Sequence, residues 1–158
     1  MRRKDLEVLE KEKLVEILDG CKVCRLGIAA EVPYIVPMNF GYDWSDRLTL
    51  YFHSAPKGRK IELIEKAGRA TFEAEAGCAV KAGAKACEVS CYYQSVIGHG
   101  RISVLRDDPE KQRALRCVME HYTGKQDWDI LDKMLPVVVG IRLEIEEMTA
   151  KAHQPHAE

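Results

Sequence analysis

The segment with the clearest chemical potential is Tyr51-Phe52-His53-Ser54-Ala55-Pro56-Lys57-Gly58-Arg59-Lys60. An apolar stretch runs through a proline and a glycine into two adjacent cations, at the point where helical periodicity begins. The first backbone N–H groups of a helix lack intrahelical partners, and the helix dipole favours negative charge there. Arg59 and Lys60 add charge-assisted bonds to the same kind of group. His53 and Ser54 stand where side-chain donors reach those oxygens, so the indicated chemistry is capture of an anion. Taken by themselves, Lys57, Arg59 and Lys60 equally describe the solvated face of a short helix.

Other residues of chemical interest carry less. Cys21 and Cys24 have C-x-x-C spacing, open to redox chemistry or half of a zinc site, and Cys87 and Cys91 are separated by three residues. Cys24 also fits a small buried apolar residue in an alternating stretch. His99 lies between two glycines and reads as an outward-facing polar residue. His121 and Tyr122, near a helix end, read as capping charge and packing. His153 and His156 are too few for a metal site. Hydrolase and nucleotide-triphosphatase readings fall away, because the chain has no G-x-S-x-G elbow, no G-x-x-x-x-G-K-[ST] loop and no G-x-G-x-x-G turn between strand and helix.

The elements that must position these residues follow from periodicity. Leu6, Leu9, Leu14, Ile17 and Leu18 predict an amphipathic helix over 6–18, stopped at Gly20. Alternation predicts strands over 22–29, 34–42 and 47–53, joined as a meander. Pro33 and Pro37 place the second of these at an edge or an irregularity, because proline cannot donate to a ladder. A helix over 58–67 ends at Gly68, and a strand over 69–76 runs into a loop or strand edge rich in small residues. A long strand over 92–105 follows, bent at its glycines. Asp107, Asp108 and Pro109 open a helix that ends near Gly124. A short helical piece over 129–135 and a last strand over 137–146 complete a single domain over 1–150, with 151–158 as a loose tail. About six or seven strands with meandering connections favour an antiparallel barrel flanked by helices over a doubly wound fold.

Composition agrees with one globular domain: 158 residues bury one core, and 46% hydrophobic with 31% charged residues is neither disordered nor membrane-like. The net charge of −1 argues against a nucleic-acid or anionic-lipid footprint, so any anion site is local. The apolar run 135–141 is far short of the ~20 residues of a membrane span. No secretory signal follows Met1, so the expectation is a cytoplasmic protein with its six cysteines reduced.

Three stretches, Val36-Pro37-Met38-Asn39-Phe40-Gly41-Tyr42, the segment 50–60 and Ser95-Val96-Ile97-Gly98-His99-Gly100, resemble in order and spacing the pyridoxamine 5′-phosphate oxidase-related flavoproteins. The chain is most similar to their 5-nitroimidazole-resistance branch. Cys24-Arg25-Leu26-Gly27 and the stretch 119–124 extend the resemblance over about residues 2–149. It implies a mainly β, antiparallel split β-barrel that dimerises and holds one FMN in each groove between subunits. Arg59 and Lys60 match a basic pair near the FMN phosphate. His53 and Ser54 match the strand end that meets the phosphate and ribityl chain, with Phe52 and Lys57 beside them as further cofactor-binding residues. Val36, Pro37, Met38 and Asn39 match the strand bordering the isoalloxazine ring, and Ser95 and Val96 match a later strand that approaches it.

The activity implied is FMN-dependent oxidoreduction. A hydride from a nicotinamide or another reductant passes to a small oxidised acceptor, with nitro compounds as one class, and neither a catalytic side chain nor a metal is required. The C-terminal Trp and Arg pair of the oxidase proper has no match, so vitamin B6 oxidation is not expected. The alternatives are a non-catalytic protein storing or sensing flavin or a related ligand, deazaflavin and haem included, and a metal-stabilised interaction module built on the cysteine pairs.

Overall fold

A computed structural model describes residues 2–154. After a short 3₁₀ turn at Lys4–Leu6, strand β1 (Glu7–Val8) pairs antiparallel with the last strand, Val8 opposite Ala150. Helix α1 (Lys11–Gly20) therefore starts later than the predicted 6–18. Val8 is buried in the ladder, whereas Leu9, counted in the helical pattern, is exposed. The helix buries Leu14, Ile17 and Leu18, an i, i+3, i+4 stripe facing the barrel.

Strands β2 (Cys24–Ile28), β3 (Tyr34–Met38), β4 (Gly41–Asp43) and β5 (Thr49–Ser54) form the meander. Helix α2 (Arg59–Ala67) leads into the long strands β6 (Arg69–Lys81) and β7 (Ser90–Leu105); α3 (Asp108–Thr123) and β8 (Val139–His153) complete the chain. All pairings are antiparallel, and the order is β3-β2-β6-β7-β8-β5-β4, with β1 beside β8. The predicted single strand over 34–42 is thus two, β3 and β4, at opposite ends of this path and separated by Asn39 and Phe40 alone. Two residues span only about 10 Å, so the sheet must curl until its ends meet. That geometry is the split barrel.

The barrel interior is filled by Leu26, Phe40, Leu50, Phe52, Phe72 and Leu143, all fully buried. Outside, α3 lies against β4 and β5. The absence of a side chain at Gly41 permits this contact, because a Cβ there would overlap the Cys117 carbonyl. Both α2 and α3 stop at left-handed glycines, Gly68 (φ 63°) and Gly124 (φ 70°).

Three further expectations need correction. β6 does not end at 76; it passes a bulge at Gly77 (φ 64°) and continues to Lys81, because the small residues after it still pair with β7. The helical piece lies at Asp132–Val137 and is 3₁₀, with Pro136 inside it. β8 runs on to His153, so Lys151, Ala152 and His153, placed in the loose tail, pair with β7 through Ser95, Gln94 and Tyr93. Their small or polar side chains hid a strand that is held by backbone pairing. Residues 155–158 lie outside the described residues. No helix among those described is long and apolar enough to cross a membrane.

Candidate functional site

β5 delivers His53 and Ser54 to one end of the barrel, and residues 55–58 turn the chain into α2. Gly58 makes the turn with φ 125°, a conformation that suits only glycine, and its carbonyl accepts the N–H groups of Ile61 (2.9 Å) and Glu62 (3.2 Å). No side chain caps the helix, so the earlier N–H groups stay available to an outside acceptor.

The two cations fold back over β3. The Arg59 guanidinium stands 5.3 Å from the Tyr34 ring centroid, and Lys60 Nζ lies 3.2 Å from Met38 Sδ. Among the described residues neither Arg59, Lys60 nor Lys57 is ion-paired, whereas Arg25, Arg69, Arg106 and Arg113 all have carboxylate partners. Partial burial without a counter-charge lowers the pKa of Lys60. His53 is lowered too, by desolvation first and the Lys60 ammonium second, so its imidazole tends to the neutral form. Partly desolvated positive charge beside an uncapped helix start is a site poised for an anion.

β3 forms the adjoining wall. Among the described residues it pairs only with β2, so its other edge is free, one of the two outcomes expected from Pro33 and Pro37. Val36 is half-buried, Pro37 exposed and Met38 buried against the core. Asn39 is exposed, and its amide donates to the Tyr122 hydroxyl (2.6 Å), which ties the end of the wall to α3.

The structure thus gathers His53, Ser54, Arg59, Lys60 and residues of β3 at one place. Phe52, by contrast, turns its side chain into the barrel core. Ser95 and Val96 lie elsewhere within the chain. Val96 pairs with Ala74, Ala74 with Cys24 and Cys24 with Met38, so the two groups are three strands apart, roughly 14 Å at about 4.8 Å per strand. Val96 is also buried in the core, while Ser95 is half-exposed.

Two clefts beside α3 had no signature in the sequence, because their walls come from distant segments. One of about 580 Å³ is lined by Tyr42, Trp44, Tyr51, Arg113 and Cys117. The other, about 510 Å³, adds Asp19, Lys22 and His121. Arg113 bonds Asp43 (2.8 Å) and stacks over Tyr51, and the Tyr42 hydroxyl donates to Asp19 (2.6 Å). Most of the polar groups lining the clefts therefore already have partners. His121, read as a cap, instead bonds the Cys21 carbonyl at 2.8 Å and ties α3 to the end of α1.

The cysteine pairs do not meet. Cys21 and Cys24 are buried, and burial pushes their thiols up to about 11 and about 12. Cys87 is exposed on the far hairpin, and among the described residues no three His, Cys, Asp or Glu side chains converge on a metal position.

Among curated proteins none matches the chain. A protein provisionally assigned to 5-nitroimidazole antibiotic resistance, from Bacteroides thetaiotaomicron, is 30% identical, superposes with a TM-score of 0.79, and is matched over 92% of this chain and 86% of its own. The FAD and heme binding protein of Mycobacterium smegmatis shares the fold at 18% identity (TM-score 0.81; 96% of this chain, 75% of that one). So does an FAD-binding protein of Mesorhizobium loti at 24% identity (TM-score 0.61; 92% and 96%). The pyridoxamine 5′-phosphate oxidase family matches residues 10–152. With the family matched over residues 10–152 and a relative 30% identical over most of both chains, the chain belongs to the pyridoxamine 5′-phosphate oxidase family, on the branch similar to the 5-nitroimidazole resistance proteins.

Proposed function

We propose that this chain is an FMN-dependent oxidoreductase acting on a small oxidised acceptor, with the flavin held at the interface of a homodimer. The observation that carries the reading is the pair Arg59 and Lys60, not ion-paired among the described residues, at the uncapped start of α2. These donors fit a phosphate monoester, a dianion that takes up several charge-assisted bonds at once. Neutral His53 adds a donor, and Ser54 lies within reach of the adjoining polyol. The free edge of β3 offers backbone groups to the polar rim of a planar ring, and half-buried Val36 adds an apolar contact. Bound FMN supplies two-electron redox chemistry, and the chain positions it and shields it from water.

The homodimer in this reading is supported by the position of Ser95 and by the sheet face around it. Ser95 lies three strands along the sheet from the β3 wall of its own chain, and the outer sheet face that carries it exposes Ile35 and Ile97. A second copy covering that face brings Ser95 of the partner subunit to the groove.

The test is an absorbance spectrum of the purified protein, with analysis of the released cofactor, followed by NADH and NADPH oxidation with a nitroaromatic acceptor. A flavin spectrum, released FMN and acceptor-dependent turnover are expected. Released FAD, named for the M. smegmatis and M. loti proteins, corrects the cofactor; a haem or empty spectrum overturns the site. Flavin that no nicotinamide reduces removes the catalytic half and leaves a binding protein.

A further inference from the structure

The hairpin joining β6 to β7 carries three of the six cysteines and stands clear of the barrel, with residues 78–90 exposed. Its two strands lose register between Ala76 and Ala79, where Gly77 takes up a left-handed conformation and Cys78 follows. A bulge with glycine at its first position twists the strand and redirects the next side chain. Here it lays Cys78 over Cys91, which pairs with Val80 on the facing strand. The two sulfurs are 3.3 Å apart.

Cys91 is fixed from behind. Its carbonyl accepts a hydrogen bond from His153 Nδ1 (2.7 Å), and the Tyr92 ring packs on the same imidazole at 5.3 Å. Closing the pair to a bond of ~2.05 Å takes a movement of about 1.3 Å, within the reach of side-chain rotation alone. The other thiols are differently placed. Cys21 and Cys24 are buried, Cys117 is half-buried with its thiol pushed up to about 12, and Cys87 sits on the 3₁₀ turn Ala86–Glu88.

We propose that Cys78 and Cys91 are a reversible disulfide site, a redox-operated clamp at the root of this hairpin. A peroxide is the oxidant. One thiolate attacks a peroxide oxygen and becomes a sulfenic acid as water leaves; the second thiol then displaces water from that sulfur, so that two thiols and hydrogen peroxide give one disulfide and two waters. A small-molecule thiol such as glutathione reverses the step by exchange. The clamp fixes the bulge next to the Ala76–Gln94 pair, one residue before Ser95, and so stiffens the stretch of β7 assigned to the groove. The thiol geometry itself is independent of which ligand the barrel binds.

The experiment treats the full chain with hydrogen peroxide, alkylates the remaining thiols, and digests with trypsin, which separates Cys78 from Cys91 at Lys81 and Lys85. The expected result is loss of the mass of two hydrogens, and a cross-linked peptide pair that dithiothreitol separates. The link should persist in Cys87→Ser and vanish in Cys91→Ser. Because Cys91 is partly packed, circular dichroism of each variant confirms folding. A link that survives Cys91→Ser, one that joins two chains, or thiols that oxidise singly without cross-linking would each overturn the assignment.

Discussion

Arg59 and Lys60 are set apart from their neighbours by what they lack. Arg106 bonds Glu65 at 2.6 Å and Arg113 bonds Asp43 at 2.8 Å, but the two cations that open α2 are unpaired among the described residues. Such a charge raises little objection in water, yet Lys60 is partly withdrawn from it, at a cost that a bound anion removes. Replacing both residues by Ala should weaken FMN binding by about 3 kcal/mol, on the order of a hundredfold in Kd, as expected for two charge-assisted hydrogen bonds. Fluorescence titration with FMN measures this, and unchanged affinity would remove the phosphate from this site. A second residue-scale prediction concerns acid. His53 and His121 both have pKa values lowered in the folded state, chiefly by desolvation, so below about 6.5 the unfolded chain binds protons that the folded chain does not. Their contribution to stability is complete above about pH 6.5 and falls as the pH drops toward their folded values. The urea midpoint should therefore decline between neutral and mildly acid pH, and decline less in His121→Gln. An equal decline in the variant would place the acid sensitivity elsewhere.

At the scale of elements, the close approaches of backbone to backbone set the architecture. Gly41 lets α3 lie on β4, and Gly100 sits where β7 shifts register against β8, with a Cβ there overlapping the Glu144 carbonyl. Neither neighbour is a flexible side-chain end, so Gly100→Ala and Gly41→Ala should each destabilise by about 3 kcal/mol or more. Gly68→Ala, open to solvent but with φ 63°, should cost only about 1 kcal/mol. Urea unfolding of the three variants checks the ranking. Glycine positions were visible in the sequence as punctuation: Gly20, Gly68 and Gly124 marked helix ends correctly. Strand identity was also legible where apolar and polar residues alternate, as in β2. What stayed hidden was held by backbone pairing or by distant packing. Lys151, Ala152 and His153 give no apolar signal, yet they complete β8. Asn39 turned out to bond Tyr122 across 83 residues of chain. The grouping of His53, Ser54, Arg59 and Lys60 was readable because these residues are nearly contiguous, whereas the clefts beside α3 are assembled from segments that no local pattern connects.

At the scale of the whole molecule, one sheet face exposes two large apolar side chains. Ile97, on β7, is 49% exposed and Ile35, on β3, 67% exposed, and both lie on the face outside the barrel. Ile97→Lys should convert a dimer to monomer in sedimentation equilibrium and release bound flavin at the same time, with little change in the fold by circular dichroism. A monomeric variant that keeps its flavin would confine the site to one subunit. The order of strands has a further consequence. β3 and β4 hold opposite ends of the hydrogen-bonded path, and the residues Asn39 and Phe40 between them work as the clasp of a bracelet. Chain length, not hydrogen bonding, keeps the ring shut there. Inserting a few glycines at 39/40 would therefore let the barrel spring open, although the same insertion at the exposed hairpin turn near 83 would pass almost unnoticed.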